Sequence, residues 1–333
     1  IAAMVPVLHA ASVQDVLDLG LHGWAMSRFS GCWVALKLVS DVADATSVVE
    51  VSPARPAITL PSDFPLPEGG LNFRWPDPPL GQEHRLVTHK LPAALAYARA
   101  NRLDKVTLKA GTPRLGIIAP GKAYLDVRQA LDELGLSDTE ASALGLSLYK
   151  VAMPWPLEPE GVREFALSQP ALLVVEEKRA LIEPQLKDIL YNLPAGTPRP
   201  DIIGKWDMSG APLLSETGEL SVTRLAVIIG QQLLALGSPA FLSERVEALL
   251  KAAPAPLLDL IERKPHYCSG CPHNTSTVVP EGSRALGGIG CHYMALWMER
   301  KTETFSQMGG EGVAWIGTAP FTDEKHIFSN LGD

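Results

Sequence analysis

The chain has 333 residues, of which 46% are hydrophobic and 20% charged, enough for two or three domains with packed cores and far from a disordered or collagen-like composition. Its 29 lysines and arginines against 37 acids give a formal net charge of −8, and with no basic run to grip a phosphate backbone, nucleic acid is excluded as a partner. The longest apolar stretch, 225–236, contains Gln231 and Gln232 and falls short of the ~20 apolar residues of a membrane span; with no charged segment ahead of an apolar one at the start, the expectation is no membrane and a cytoplasmic location.

Ser12 stands at a cap position, and Val13, Val16, Leu17, Leu21 and Trp24 then recur at helical spacing. Residues 33–39 and 47–51 predict strands, which close an α/β unit over 1–52. Nine prolines between Pro53 and Pro92 predict an extended connector over 53–90, since proline at that density sustains neither helix nor central strand. Phe64, Leu71, Phe73 and Trp75 within it predict that it is draped over a surface. From 91 to 237 a βα rhythm sets in. Residues 115–121 predict a buried strand turning into a helix over 124–134 with Gly135 as its cap, and 146–151, 160–167, 171–176, 182–191, 200–206 and 220–236 alternate strand and helix. That pattern predicts a parallel sheet covered on both faces. A helical connector over 238–262 follows, with segments at 243–251 and 257–263, and leads to a last unit over 263–333. The fold class is therefore α/β and multi-domain, with parallel sheets flanked by helices. The apolar opening at Ile1 and a strand at 327–333 that stops at its tip suggest an internal piece of a longer protein.

The chain has four cysteines, and three of them lie close in sequence. Cys268 and Cys271 form a C-x-x-C with Gly270 inside it, a spacing that lets two thiolates converge on one metal over a tight turn. Cys291 follows in a glycine-flanked segment, Gly287-Gly288-Ile289-Gly290-Cys291-His292. In a reducing compartment such a set favours a metal or cluster over a disulfide framework. Spacing alone leaves two possibilities open: an iron–sulfur cluster with a further cysteine beyond the chain, or tetrahedral zinc completed by His266, His273 or His292. Cys32, alone on an apolar stretch, reads as a buried thiol, and His9, His22, His84, His89 and His326 have no partners at ligand spacing. The glycines of 287–290 and of Met308-Gly309-Gly310-Glu311-Gly312 could bring backbone N–H groups to a phosphate or serve as tight turns. Gly121-Lys122 lacks the spacing of a nucleotide loop. Gly332-Asp333, after a hydrophobic strand, could hold Mg²⁺ against a diphosphate or be a plain turn.

Taken together, residues 267–277, 280–295 and 307–312 resemble the thiamine-diphosphate domain of indolepyruvate ferredoxin oxidoreductases, in particular the long fused bacterial form. The opening, residues 6–37 with Ser27-Arg28-Phe29-Ser30-Gly31, resembles the end of that family's pyrimidine-binding domain. Residues 114–124 and Val174-Val175-Glu176-Glu177-Lys178 resemble its transketolase-C-terminal-like domain. The resemblance implies that Cys268, Cys271 and Cys291 are three of four thiolates on a [4Fe–4S] cluster. It implies that Asp333, after Gly332, binds Mg²⁺, and that the backbone at Gly290 and Cys291 lies near the diphosphate of thiamine diphosphate. The activity it implies is oxidative decarboxylation of a 2-oxo acid, an aryl pyruvate such as indolepyruvate, with coenzyme A taking the acyl group and ferredoxin the electrons, in a homodimer. The alternative of another class is a non-catalytic zinc-binding interaction module on an α/β scaffold.

Overall fold

The computed structural model describes residues 2–72, 74–75, 77–237, 240–251 and 264–331. Packing divides the chain into two units, Ile1–Ala252 and Ala253–Asp333. In the first, β1 (Val7–His9) pairs in parallel with β2 (Ala35–Lys37), and the helix Val13–Ser30 connects them. The Ser12 hydroxyl accepts from the Asp15 N–H to start this helix. Gly31, at φ +71°, ends it and returns its N–H to the Ser27 carbonyl. A side chain at Gly31 would also run into the Leu71 carbonyl oxygen, so both conformation and space require glycine there.

This helix buries Leu19, His22 and Met26, whereas Leu17, Leu21 and Trp24, placed by periodicity on its core stripe, are exposed. The sequence carries apolar residues on two faces, and the face that meets Leu8, Tyr97 and Met153 is the one buried. The predicted strand at 33–39 is shortened to β2, and no strand forms at 47–51, where Val48 and Val51 stand in solvent. Nothing offers that segment a ladder; Glu50 anchors it instead, exchanging hydrogen bonds with the Gln14 side chain and pairing with Arg55 at 2.8 Å.

The first part of the proline-rich segment does lie on the opening helix. Arg55 pairs with Asp18 at 2.8 Å, Phe64 packs edge-on to Phe29, and Leu71 is buried; Phe73 lies outside the described residues. Its second part is helical, contrary to expectation, through Pro79–Arg85 and a π-turn at Leu86–Lys90, and runs on into the helix Leu91–Ala100. Pro79 sits in a first turn, where no N–H is missed. Pro92 directly follows the π-turn, whose wider winding relieves the clash a proline ring makes with the carbonyl four residues back.

Five strands follow: β3 (Lys105–Leu108), β4 (Leu115–Pro120), β5 (Leu146–Val151), β6 (Ala171–Val174) and β7 (Asp201–Ile203). Their order is β3-β5-β4-β6-β7, parallel throughout except for β3 at the edge. Every residue of β4 and β5 is buried, as expected of inner strands covered on both faces. Ile117, Leu148 and Leu173 pack with the helices Gly121–Glu133 and Val222–Ala235. Their neighbours Ile118, Tyr149 and Val174 pack with Pro159–Leu167 and Ile182–Tyr191 on the other face. The βα alternation expected from sequence is thus observed.

The carboxyl ends of these strands are filled by the protein itself. Glu176 accepts from the N–H groups of Leu181, Ile182 and Glu183, and Lys205 Nζ donates to the carbonyls of Glu176 and Ser215. Burial raises the Glu176 pKa and lowers that of Lys205. The His9 ring lies directly over Gly121, which sits at φ +48°. Burial and the charge of Lys37 pull the His9 pKa down to about 4.

The unit ends with the helix Ala240–Lys251; the helix expected at 257–263 lies outside the described residues. In the second unit β8 (Ala285–Gly287), β9 (Thr302–Phe305) and β10 (Phe328–Ser329) form a parallel sheet in the order β10-β8-β9. Among the described residues, no helix is long and apolar enough to cross a membrane.

Candidate functional site

The C-x-x-C segment forms a tight turn in which the Cys271 N–H donates to the Cys268 carbonyl at 3.1 Å, and Gly270 takes φ +75° inside it. Cys268 is exposed and Cys271 half-buried. Cys271 Sγ lies 3.2 Å from His273 Nδ1, so in the Nδ1–H tautomer the ring donates to the sulfur. A stack of rings extends from this point: Tyr267 and His273 are 5.3 Å apart and His273 and His292 6.2 Å apart, both near-parallel. The stack joins the C-x-x-C turn to the segment that carries Cys291, an exposed residue at the start of the 3₁₀ turn Cys291–Trp297.

Among the described residues, no three His, Cys, Asp or Glu side chains are gathered at metal-binding distances. The donor chemistry suits a soft metal or cluster, because all three thiols are free and at least partly accessible. Geometrically the structure brings together Cys268 and Cys271 on one turn and does not gather Cys291 with them. Cys32, as read from sequence, is buried, and burial pushes its pKa up.

The carboxyl edge of the β10-β8-β9 sheet has the other half of the chemistry. Ser306, just past β9, donates its N–H to the Gly287 carbonyl, and Asn330, just past β10, donates to that of Leu286. Both side chains thereby stand at the strand ends, where open α/β sheets take their ligands. Glu311 reaches over Gly288, close enough that a Cβ on that glycine would come within 2.5 Å of its side chain. Ser306 Oγ, Glu311 Oε1 and Asn330 Nδ2 are each shut off from solvent and without a hydrogen-bond partner. Buried polar atoms are ordinarily paired, so two donors and one acceptor left open at a strand edge suit a bound polar group. Gly290, at φ +120°, carries the loop from β8 into Cys291 through a conformation that glycine alone adopts readily.

These residues fit an anionic cofactor at this edge, with Gly290 and Cys291 in the loop directly after β8. Gly332 and Asp333 lie outside the described residues. Sequence reading flagged Glu311 only within a glycine cluster and missed Ser306 and Asn330. Nothing marks such residues until the short strands before them are known.

Comparison with known proteins bears on the other unit as well. Residues 105–255 match the family model described as the indolepyruvate oxidoreductase domain. The chain is similar to indolepyruvate oxidoreductase subunit IorA of Methanothermobacter thermautotrophicus, at 27% identity over 81% of this chain and 39% of the relative. It is similar to that of Pyrococcus abyssi at 28% identity over 94% and 46%, and to that of Methanothermobacter marburgensis at 26% over 99% and 50%. The chain thus spans half or less of these relatives' lengths. Among solved structures it is similar to a 2-oxoglutarate:ferredoxin oxidoreductase from Magnetococcus marinus, with a TM-score of 0.40 and 15% identity over 68% of this chain and 42% of that one. The family domain is thus matched across the five-stranded sheet, and IorA relatives align along most of the sequence.

Proposed function

We propose that the chain is part of a 2-oxoacid:ferredoxin oxidoreductase that takes an aryl pyruvate such as indolepyruvate. One turnover converts a 2-oxo acid and coenzyme A into an acyl-coenzyme A, CO₂ and a proton, and passes two electrons, one at a time, to two ferredoxins. What carries this reading is the open carboxyl edge at Ser306, Glu311 and Asn330 in the same unit as three free cysteines. When bound, thiamine diphosphate supplies the electron sink for decarboxylation, and a [4Fe–4S] cluster supplies a one-electron exit that zinc lacks.

Cys268, Cys271 and Cys291 would hold the cluster as thiolates, with a fourth ligand from outside the chain. In its Nδ1–H tautomer, His273 would donate a hydrogen bond to the Cys271 sulfur. The backbone at Gly290 and Cys291 would face the diphosphate, with Asp333, after Gly332, on Mg²⁺. Asn330 Nδ2 and the Ser306 hydroxyl have hydrogen bonds to give there, and Glu311 has one to accept. The complete enzyme is read as a homodimer.

The test is iron, zinc and acid-labile sulfide measured on the anaerobically purified full-length protein and its Cys271→Ala variant. Iron with matching sulfide, lost in the variant, supports the reading. Zinc without sulfide would replace it with the interaction module, in which Cys271 and His273 supply mixed sulfur and nitrogen ligands.

A further inference from the structure

His273 follows the C-x-x-C turn by two residues, and the backbone there is tied to both of its cysteines. Pro272, at φ −55° and ψ −31°, turns the chain from Cys271 directly into the helical turn His273–Ser276. The Asn274 N–H donates to the Cys271 carbonyl at 3.0 Å, and the Asn274 side-chain amide donates to the Cys268 carbonyl at 3.0 Å. The Thr277 hydroxyl donates to the His273 carbonyl at 2.6 Å. His273 therefore keeps its place relative to the two thiols.

Its ring is held as well. The half-buried ring lies 5.3 Å from that of Tyr267 and 6.2 Å from that of His292, near-parallel to both, and these two neighbours are only 5% and 3% exposed. Tyr267 immediately precedes Cys268 and His292 immediately follows Cys291, so the ring rests on residues next to both cysteine segments. Its Nδ1 edge meets Cys271 Sγ at 3.2 Å.

That geometry suits a hydrogen-bond donor better than a metal ligand. A tetrahedral zinc shared by one nitrogen and one sulfur would hold the two atoms about 3.5 Å apart; here they meet directly. A thiolate offers lone pairs and no proton, so the proton between the two atoms belongs to Nδ1.

We propose that His273 is a positioning residue of the electron exit: its Nδ1–H donates to the Cys271 sulfur and raises the reduction potential of the cluster which that sulfur holds. This rests on the cluster reading above. The cluster gains one electron from the decarboxylated 2-oxo acid and loses it toward ferredoxin, and the proton stays on Nδ1 throughout. The added electron places negative charge on the sulfur ligands, and an N–H dipole aimed at one of them stabilises the reduced form.

The test is a redox titration, followed by EPR, of the anaerobically purified full-length protein, reading the signal that Cys271→Ala removes. His273→Phe keeps a ring and deletes the donor; at the parent's midpoint potential it lowers the ratio of reduced to oxidised cluster about tenfold, or about 59 mV for a one-electron couple. His273→Asn, whose side-chain amide places an N–H near the Nδ1 position, brings the ratio most of the way back. A potential unchanged or raised in His273→Phe, or as low in His273→Asn as in His273→Phe, overturns the proposal. Pulsed EPR on the unmutated reduced protein, labelled with ¹⁵N-histidine, decides the matter if a variant fails to assemble. Weak ¹⁵N coupling together with an exchangeable proton supports the donor, whereas the strong coupling of an iron–nitrogen bond, or none, overturns it. Zinc without sulfide overturns this proposal and the cluster reading together; full iron and sulfide with an unmoved potential overturns this proposal alone.

Discussion

The largely parallel five-stranded sheet and the parallel β10-β8-β9 sheet put their carboxyl edges to opposite uses. At the edge of the five-stranded sheet, Glu176 is consumed by three N–H groups, Lys205 by two carbonyls, and the space over Gly121 by the His9 ring. At the edge of the β10-β8-β9 sheet, Ser306, Glu311 and Asn330 are positioned by equally short backbone links but left with open atoms. Topology nominates both edges as ligand sites; what separates them is whether the polar groups there are already satisfied. A closed edge contributes stability, and an open one holds capacity for a ligand.

Substitutions break the two edges differently. Glu176→Ala strands three N–H groups at the start of Ile182–Tyr191 and deprives the 3%-exposed Lys205 of the carboxylate charge that favours it most, so a loss of about 3 kcal/mol is expected in urea unfolding. Gly121→Ala forces a side chain into the His9 ring at a positive φ and is expected to lose about 2–3 kcal/mol on the same assay. A loss below about 0.5 kcal/mol in either would mean that this edge is not closed as described.

Asp104 offers a pH readout on the closed unit. Burial, and next the charge of Glu158, raise its pKa from 3.8 to about 7, against the backbone hydrogen bonds that lower it. A raised carboxyl pKa means that its stabilising share is full below pH ~4 and is lost as pH rises through about 7. Asp104→Asn should therefore gain on the parent chain as pH goes from 5 to 8, followed by melting temperature; parallel curves would remove Asp104 as their cause. The smallest effect on folding is expected from Asn330→Ala at the open edge, within about 0.5 kcal/mol, since no protein partner is lost. In the full-length enzyme the same change should weaken thiamine diphosphate binding about tenfold. Destabilisation without weaker binding would make this edge structural as well.

Sequence carried the five-stranded sheet well because its inner strands are continuous apolar runs and its helices keep one dominant stripe, as in 115–120 and 222–235. It failed at 47–51, where β-branched residues look like a strand but no neighbour supplies a ladder. It failed again at 79–90, where the positions of the prolines, and not their number, decide the outcome. At the site, cysteine spacing disclosed the thiols but not their separation, which a fold rather than a motif determines. Ser306 and Asn330 follow strands of four and two residues, too short for any periodicity to announce.

The cluster that joins Leu8 and Met26 to Tyr97 and Met153, with Lys150 paired to Asp15 at 2.6 Å, makes the first forty residues and the strand at 146–151 dependent on one another. A protease cut in the exposed stretch at 44–48 would therefore leave two pieces still bound. Expressed separately, those pieces should reassemble, which makes this stretch a natural place to divide the protein for fragment complementation.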